Sequence, residues 1–167
     1  MTLSRKLRFA ALTFLVVCTV GCDQTSKHAA RTLLRQADSI MVSGGLIELR
    51  LAENPGSFLS LGALLPEAVR AAVFTLGVGI GLVGLAGYLT RRSQIEVPHF
   101  IGLSLVLAGG LSNLLDRILQ HGLVTDFVTI HLGALHTGIF NLADVLIMIG
   151  IGVIGFGFWR VRRPTIG

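Results

Sequence analysis

Charged residues are scarce in this 167-residue chain, since Asp, Glu, Lys and Arg make up only 14% of it. A soluble domain usually carries about 25%. Hydrophobic residues account for 52% of the chain, and its mean hydropathy is +0.76. This balance excludes an ordinary soluble domain and indicates a membrane protein, and the length predicts a single domain over residues 1–167.

Cysteine is also rare, and common metal-binding and nucleophile motifs are missing. Cys18 and Cys22 lie four residues apart, which gives neither a disulfide framework nor a zinc site. No H-E-x-x-H, C-x-x-C or G-x-S-x-G pattern occurs. Three histidines and a neighbouring aspartate are spaced five to ten residues apart, which favours solvated loop histidines over a metal site; they are His121, His131 and His136. We therefore expect no metal and no cofactor.

Two further patterns do not indicate nucleotides or nucleic acid. The net charge is +5, but no basic face with interleaved aromatic residues is visible, so we expect no nucleic-acid partner. Gly79, Gly81 and Gly84 form a nominal G-x-G-x-x-G inside an apolar stretch of bilayer length, where no phosphate site is expected. Several glycines are instead predicted to let helices approach closely. They are Gly77, Gly81, Gly150, Gly152, Gly155 and Gly157.

Four apolar segments qualify, or nearly qualify, as membrane spans, since a bilayer core requires about 20 mostly apolar residues. They lie at residues 9–22, 71–89, 97–115 and 138–159. Eight of the fourteen basic residues flank the span ends on one side of the predicted membrane, and the only acid among them is Glu96. Because Lys and Arg mark the cytoplasmic side, we expect both termini in the cytoplasm and two extracytoplasmic loops, residues 23–70 and 116–137.

The first outer loop carries a strand-like pattern. Residues 46–51, LIELRL, alternate with the period of a half-buried strand. Residues 54–57, NPGS, form a turn cluster. We therefore expect a β-hairpin or curled sheet within residues 40–61, resting on the outer membrane surface. The fold class is then an all-α membrane protein with four transmembrane helices, both termini cytoplasmic, and a small extracytoplasmic sheet.

Three aspartates near the outer face differ in their surroundings. Asp116 lies beside Arg117 at the outer end of the third span, where an ion pair would explain it. Asp126 lies among β-branched and aromatic residues, and Asp144 lies in the apolar start of the fourth span. An ionisable side chain within a span is costly and often marks function, although a buried aspartate can also simply bond to a neighbouring helix.

Asp126 and Asp144 together suggest a hydrolytic chemistry. Two carboxyls in a low-dielectric site cannot both ionise easily, so one retains a proton near neutral pH. The ionised carboxylate can take a proton from water while the protonated one polarises an amide carbonyl, which is general acid–base hydrolysis without a covalent intermediate. The sequence does not decide which residue is the base, because such a pair titrates as a unit.

Five short motifs occur in order along the chain. They are D-Q-x-x-K at Asp23, Gln24 and Lys27; an N-x-G-x-x-F-like turn at Asn54, Gly56 and Phe58; N-x-x-D-R at Asn113, Asp116 and Arg117; D-F at Asp126 and Phe127; and F-N-x-A-D at Phe140, Asn141, Ala143 and Asp144. In this order and on these spans, the chain resembles the lipoprotein signal peptidases, the aspartic membrane peptidases called signal peptidase II, over nearly its whole length.

The resemblance implies site residues. Asp126 and Asp144 would be the catalytic dyad. Asp23 and Lys27 would hold the juxtamembrane segment against an extracytoplasmic β-cradle, and Asp116 would also be structural. Residues that line the substrate site and orient the peptide and the dyad would be Asn54, Gly56, Asn113, Arg117 and Asn141.

The resemblance also implies a substrate and a location. The substrate would be a prolipoprotein that carries diacylglycerol on its lipobox cysteine, cut just before that cysteine. Implied partners are lipidated prolipoproteins, membrane lipid and a cyclic peptide inhibitor of the globomycin type. The enzyme would lie in the bacterial inner membrane with its active site at the periplasmic face. The chain departs from the usual family pattern at Ser112 and Thr125, among other positions.

Two alternatives remain open. The chain could be a non-enzymatic four-span membrane protein in which Asp144 is structural. It could also be a lipoprotein itself, cut at Cys22, because residues 19–22, TVGC, resemble a lipobox. A retained first helix is favoured, since the three remaining spans leave no soluble domain to tether.

Overall fold

Helices make up most of the computed structural model, which describes residues 4–55, 65–92 and 94–161. They are α1 (Arg5–Leu34), α2 (Glu67–Arg70), which continues through a π-helical segment (Ala71–Gly77) into α3 (Val78–Arg91), then α4 (Val97–Leu119) and α5 (Leu142–Val161). Within the described residues, three helices are long and apolar enough to cross a membrane, namely Arg5–Leu34, Ala68–Arg91 and Val97–Leu119, while the apolar stretch Leu142–Phe158 is shorter. These helices indicate a multi-pass membrane protein, and a fourth span stays a prediction.

The first and last helices begin or end away from the predicted boundaries. Helix α1 continues twelve residues beyond Cys22, to Leu34, because residues 23–34 contain no Gly or Pro to end it. The last predicted span begins at about residue 138, whereas α5 begins at Leu142. Phe140 instead forms an antiparallel bridge with Val128, so the chain is extended before the helix starts.

Four antiparallel strands form a small sheet in the order β1 (Ile40–Val42), β2 (Ile47–Asn54), β3 (Val124–Leu132) and β4 (Leu135–His136). The predicted hairpin is confirmed for β1 and β2, which pair from Ile40 opposite Leu49 to Val42 opposite Ile47. The predicted extracytoplasmic loop, residues 116–137, contains regular structure. Residues 116–119 belong to α4, and β3 is a nine-residue strand paired with β2.

Helix α4 packs closely against α5 through glycine. A Cβ placed on Gly102 would lie 2.7 Å from the carbonyl oxygen of Gly150, and one placed on Gly109 would lie 2.7 Å from that of Ala143. The predicted close contact is therefore confirmed at Gly150. It is wrong at Gly81, Gly152 and Gly155, where a Cβ would meet nothing within 4 Å, so these glycines lie on open faces of their helices.

The buried apolar core joins α1, α3 and α4 and consists of Leu12, Leu82, Leu89, Ile95, Phe100 and Leu107.

Candidate active site

The first turn of α5 holds Asp144 through a capping box. Asn141 precedes the helix, and its side-chain Oδ1 accepts a hydrogen bond from the backbone N–H of Asp144 at 3.0 Å. In return, Asp144 Oδ2 accepts from the backbone N–H of Asn141 at 3.2 Å. This reciprocal pair satisfies backbone donors that a helix start otherwise leaves without partners. The spacing N-x-x-D therefore fixes the Asp144 carboxylate at the start of the helix.

Strand β3 brings Asp126 to the same place. The backbone N–H groups of Phe127 and Val128 donate to the carbonyl of Phe140 at 3.1 and 3.0 Å, and Phe140 donates back to the carbonyl of Val128 at 2.9 Å. These bonds tie β3 to the residue just before Asn141. As a result, Asn141 Nδ2 donates to Asp126 Oδ1 at 2.7 Å.

Asparagine side chains hold both carboxylates. Asn54, at the end of β2, donates through Nδ2 to Asp126 Oδ2 at 2.9 Å. Asn113, on α4, donates through Nδ2 to Asp144 Oδ1 at 2.9 Å, and its Oδ1 accepts from Asn141 Nδ2 at 3.1 Å. Neutral amides thus hold the two carboxylates side by side without neutralising them.

The environment of Asp126 favours its protonated form. Burial raises the pKa of Asp126 from 3.8 to about 6, the charge of Asp144 adds to the increase, and the hydrogen bonds from Asn54 and Asn141 and the charge of Lys27 oppose it. Asp126 is only 1% exposed, so water compensates little of the cost of ionising it. A carboxyl with a pKa this close to neutrality suits acid–base catalysis.

A buried ionic cluster lies next to the two carboxylates. Lys27 is completely buried, and its Nζ contacts Asp23 Oδ2 at 2.7 Å, Asp116 Oδ2 at 2.9 Å and Asn113 Oδ1 at 2.9 Å. All three ammonium protons therefore have an acceptor. Asn113 links this cluster to Asp144, since it accepts from Lys27 and donates to Asp144.

The partners of this cluster correct two sequence-based interpretations. Asp23 was expected to hold α1 against the sheet, but its Oδ1 accepts from the backbone N–H of Ala143 at 2.8 Å and its Oδ2 from Ser112 Oγ at 2.7 Å. It therefore joins α1 to α5 and α4, where an anion is favoured at a helix start. The ion pair with Arg117 that would have explained Asp116 is not formed, since the ion-pair partners of Asp116 among the described residues lie on α1, with Lys27 nearest.

Sequence reasoning gave no role in the site to several polar residues that complete it. Arg31 donates to Thr125 Oγ1 at 2.7 Å, next to Asp126. Gln24 Nε2 donates to Asp116 Oδ1 at 2.9 Å and to Ser112 Oγ at 3.2 Å. The four-residue spacing of Asp23, Lys27 and Arg31 on one helix face was the available signal. The departures Ser112 and Thr125 therefore add hydrogen bonds to this network.

Arg117 lies beside a cavity next to the site. Its side chain is 8% exposed, and its Nε has no hydrogen-bond partner among the described residues. The cavity has a volume of about 470 Å³ and is lined by Arg117 together with Pro55, Arg70, Leu76 and His121, among others. Gly56, the remaining predicted site residue, lies outside the described residues.

Among the described residues, His131 and His136 contact groups other than Asp126 and Asp144. His131 Nε2 contacts Glu48 Oε2 at 2.8 Å, and its ring lies 5.7 Å from that of His136. Within the described part of the chain, no three His, Cys, Asp or Glu side chains are grouped so that they could hold a metal ion. The side chains that the structure brings together at the site offer two carboxyls, amide donors and a buried guanidinium.

Comparison with known proteins identifies the family. The family model described as signal peptidase II matches residues 15–160. The lipoprotein signal peptidase of a Sulfurihydrogenibium species is 33% identical over 162 residues, which cover 95% of this chain and 96% of that protein. The lipoprotein signal peptidase of Hydrogenovibrio crunogenus is 34% identical over 163 residues, covering 95% and 92%.

A solved structure agrees with the sequence comparison. A bacterial membrane enzyme determined by the in meso method at 2.3 Å resolution superposes with a TM-score of 0.78 at 25% sequence identity, over 90% of this chain and 88% of that one. The resemblance seen in the five motifs is therefore confirmed over most of the chain. The chain belongs to the signal peptidase II family of membrane proteases.

Proposed function

We propose that this chain is an aspartic endopeptidase that removes signal peptides from diacylglyceryl-modified prolipoproteins, cutting before the lipidated cysteine. One observation carries the proposal. Asn141 bonds both candidate catalytic carboxylates, Asp126 through its side chain and Asp144 through its backbone. Membership of a family whose relatives are named lipoprotein signal peptidases supports the substrate class.

The proposed reaction uses the two carboxyls as a coupled acid and base. One carboxylate accepts a proton from a water molecule, whose oxygen attacks the carbonyl carbon of the scissile peptide. The other carboxyl, protonated, donates a hydrogen bond and then a proton as the carbonyl oxygen gains charge. When the tetrahedral intermediate collapses, the first carboxyl gives its proton to the amide nitrogen, a hydroxyl of the intermediate returns a proton to the second carboxylate as the C=O bond re-forms, and the C–N bond breaks. Both carboxyls are then as they began.

The other site residues take two kinds of role in this proposal. Asn54, Asn113 and Asn141 orient the dyad, since each donates a hydrogen bond to Asp126 or Asp144. Arg117 is the residue we expect to contact substrate, because it is buried beside the neighbouring cavity and its Nε has no partner among the described residues. A guanidinium there would bind the peptide carbonyls or the developing negative charge. Gly56 would line the same site.

The proposal includes a topology. Four spans with both termini in the cytoplasm would place the carboxylates at the periplasmic face of the bacterial inner membrane, within reach of a lipid-anchored peptide. The asymmetry of Lys and Arg supports this orientation. A cyclic peptide inhibitor of the globomycin type would compete for the site from the same side.

The test is cleavage of a diacylglyceryl-modified prolipoprotein by the purified chain in detergent, followed by intact mass. Wild type is compared with Asp126→Asn, Asp144→Asn and the matched control Asp38→Asn, which changes an exposed aspartate. We expect wild type and control to release a product that begins with the lipidated cysteine. Each dyad variant should be slower by at least about a thousandfold, because both carboxyls are required for proton transfer.

Two results would contradict the proposal. One is cleavage by either folded dyad variant at close to the wild-type rate, which would remove that residue from the chemistry. The other is absence of cleavage by folded wild type across several lipidated substrates. Size-exclusion profiles and thermal unfolding of each variant establish that it is folded.

A further inference from the structure

A second cavity opens at the end of the helices opposite the two carboxylates. Its volume is about 470 Å³, and it lies between the first turn of α1 and the last turn of α3. Its walls combine cations with apolar side chains, mainly Arg5, Lys6 and Arg8 together with Phe9, Leu12 and Leu89. Arg8 and Asp23 are fifteen residues apart on α1, so about 22 Å of helix separates this cavity from the dyad.

Arg8 is a buried cation without an acidic partner among the described residues. Its side chain is 4% exposed, one terminal nitrogen donates to the carbonyl of Leu89, and its guanidinium carbon lies 5.4 Å from the centroid of the Phe100 ring. Its Nε is buried and has no hydrogen-bond partner in the part of the chain described. The acid at this end, Glu96, lies 3.7 Å from His99 instead. Burying a charge is costly unless an opposite charge compensates it.

Nearby features favour an anion in this cavity. Arg5 and Lys6 are exposed at the first turn of a 30-residue helix, whose dipole is positive at that end. Helix starts bind phosphate groups for this reason. Phe9, on the same cavity wall, is 65% exposed and offers an apolar surface alongside the cations.

We propose that this cavity binds the phosphate of an anionic phospholipid. Arg5, Lys6 and Arg8 contact the phosphate, and the first acyl methylenes lie along Phe9. Basic pockets between spanning helices bind anionic lipid headgroups in this way. A free phosphate would share the charge contacts but would leave the apolar wall unused, so the lipid is the favoured source.

The test counts lipids retained by the full-length chain in native mass spectrometry. Protein in detergent is mixed with phosphatidylglycerol or phosphatidylcholine, which have similar acyl chains but differ in headgroup charge. The variant is Arg5→Gln/Lys6→Gln, and the matched control is Arg91→Gln/Arg92→Gln, which removes two exposed charges near the same end but outside the cavity. Arg8→Lys keeps the charge but loses the planar fork of donors.

We expect wild type and control to retain phosphatidylglycerol about tenfold better than phosphatidylcholine. In the Arg5→Gln/Lys6→Gln variant, the preference for phosphatidylglycerol should fall at least threefold. In Arg8→Lys it should fall in part, and thermal unfolding should show that this variant is folded. Equal losses in variant and control would overturn the proposal, since they would show diffuse attraction only. Equal retention of the two lipids would overturn it too. Stabilisation by millimolar inorganic phosphate equal to that by phosphatidylglycerol would assign the site to free phosphate instead.

Discussion

Asp126→Asn keeps the shape of the side chain but removes its charge, and we expect its stability relative to the wild type to increase from acid to neutral pH. Burial raises the pKa of Asp126 from 3.8 to about 6, so the folded protein binds this proton more tightly than the unfolded chain does. The stabilisation that results is complete below the unfolded pKa and is lost as the pH rises through about 6. Ionisation of Asp126 therefore destabilises the wild-type fold as the pH rises, whereas the asparagine variant cannot ionise and avoids that loss.

The magnitude follows from the two pKa values. They differ by roughly two pH units, and each unit corresponds to about 1.4 kcal/mol, so the full contribution is about 3 kcal/mol. The amide also disturbs the hydrogen bonds from Asn54 and Asn141, because both Asp126 oxygens accept and an NH₂ group cannot. That cost does not depend on pH. We therefore subtract the free energy of unfolding of the wild type from that of the variant at each pH. The change in this value from pH 4 to pH 8 reports the effect of the Asp126 charge alone.

The assay is the free energy of unfolding in detergent micelles at pH 4, 6 and 8. Relative to wild type, Asp126→Asn should gain about 2–3 kcal/mol of stability between pH 4 and pH 8, with most of the gain below pH 7. The exposed control Asp38→Asn should follow the wild-type curve. Parallel curves for wild type and Asp126→Asn would refute the reasoning, since they would mean that Asp126 ionises equally easily in both states.

Three further substitutions separate local packing from catalysis. Asn141→Ser keeps a helix-capping side chain, so stability should stay within about 1 kcal/mol of wild type. It loses the Nδ2 donor to Asp126, which opposes the increase in the pKa of that carboxyl, so the kcat/KM profile should shift to higher pH and activity at pH 7 should fall about tenfold or more; an unchanged profile would contradict this role. Gly109→Ala should cost about 1–3 kcal/mol in unfolding, because its Cβ would lie 2.7 Å from the carbonyl oxygen of Ala143. Gly81→Ala, which meets nothing within 4 Å, should be neutral or stabilising, and equal effects of the two changes would argue against the close α4–α5 contact.

Local features of the site could be predicted because they depend on residues close together in sequence. The N-x-x-D spacing of Asn141 and Asp144 matches a capping box at a helix start. The alternation in residues 46–51 indicated β2, although a register shift between Leu49 and Ala52 interrupts its pairing with β3. Strand β3 itself was predictable in principle, since residues 124–132, VTDFVTIHL, are rich in β-branched residues.

The partners of the charged residues could not be predicted in the same way. Asp116 and Arg117 are adjacent in sequence, yet adjacent helix residues do not face each other. Asp116 instead pairs with Lys27, 89 positions earlier in the numbering of the chain. The choice depends on which faces of α1 and α4 meet, and composition does not encode that contact.

The sequence by itself determined that the chain is an apolar, multi-helical membrane protein, and its ordered motifs identified the family. Periodicity and composition suffice for the membrane class, because hydrophobic burial and helix capping act over a few residues, whereas the family rests on the resemblance of the motifs. Only the tertiary structure decided that Asn54, Asn113 and Asn141 converge on the two carboxylates. Their hydrogen bonds join residues up to 72 positions apart, so they require that β2 pairs with β3 and that α4 packs against α5.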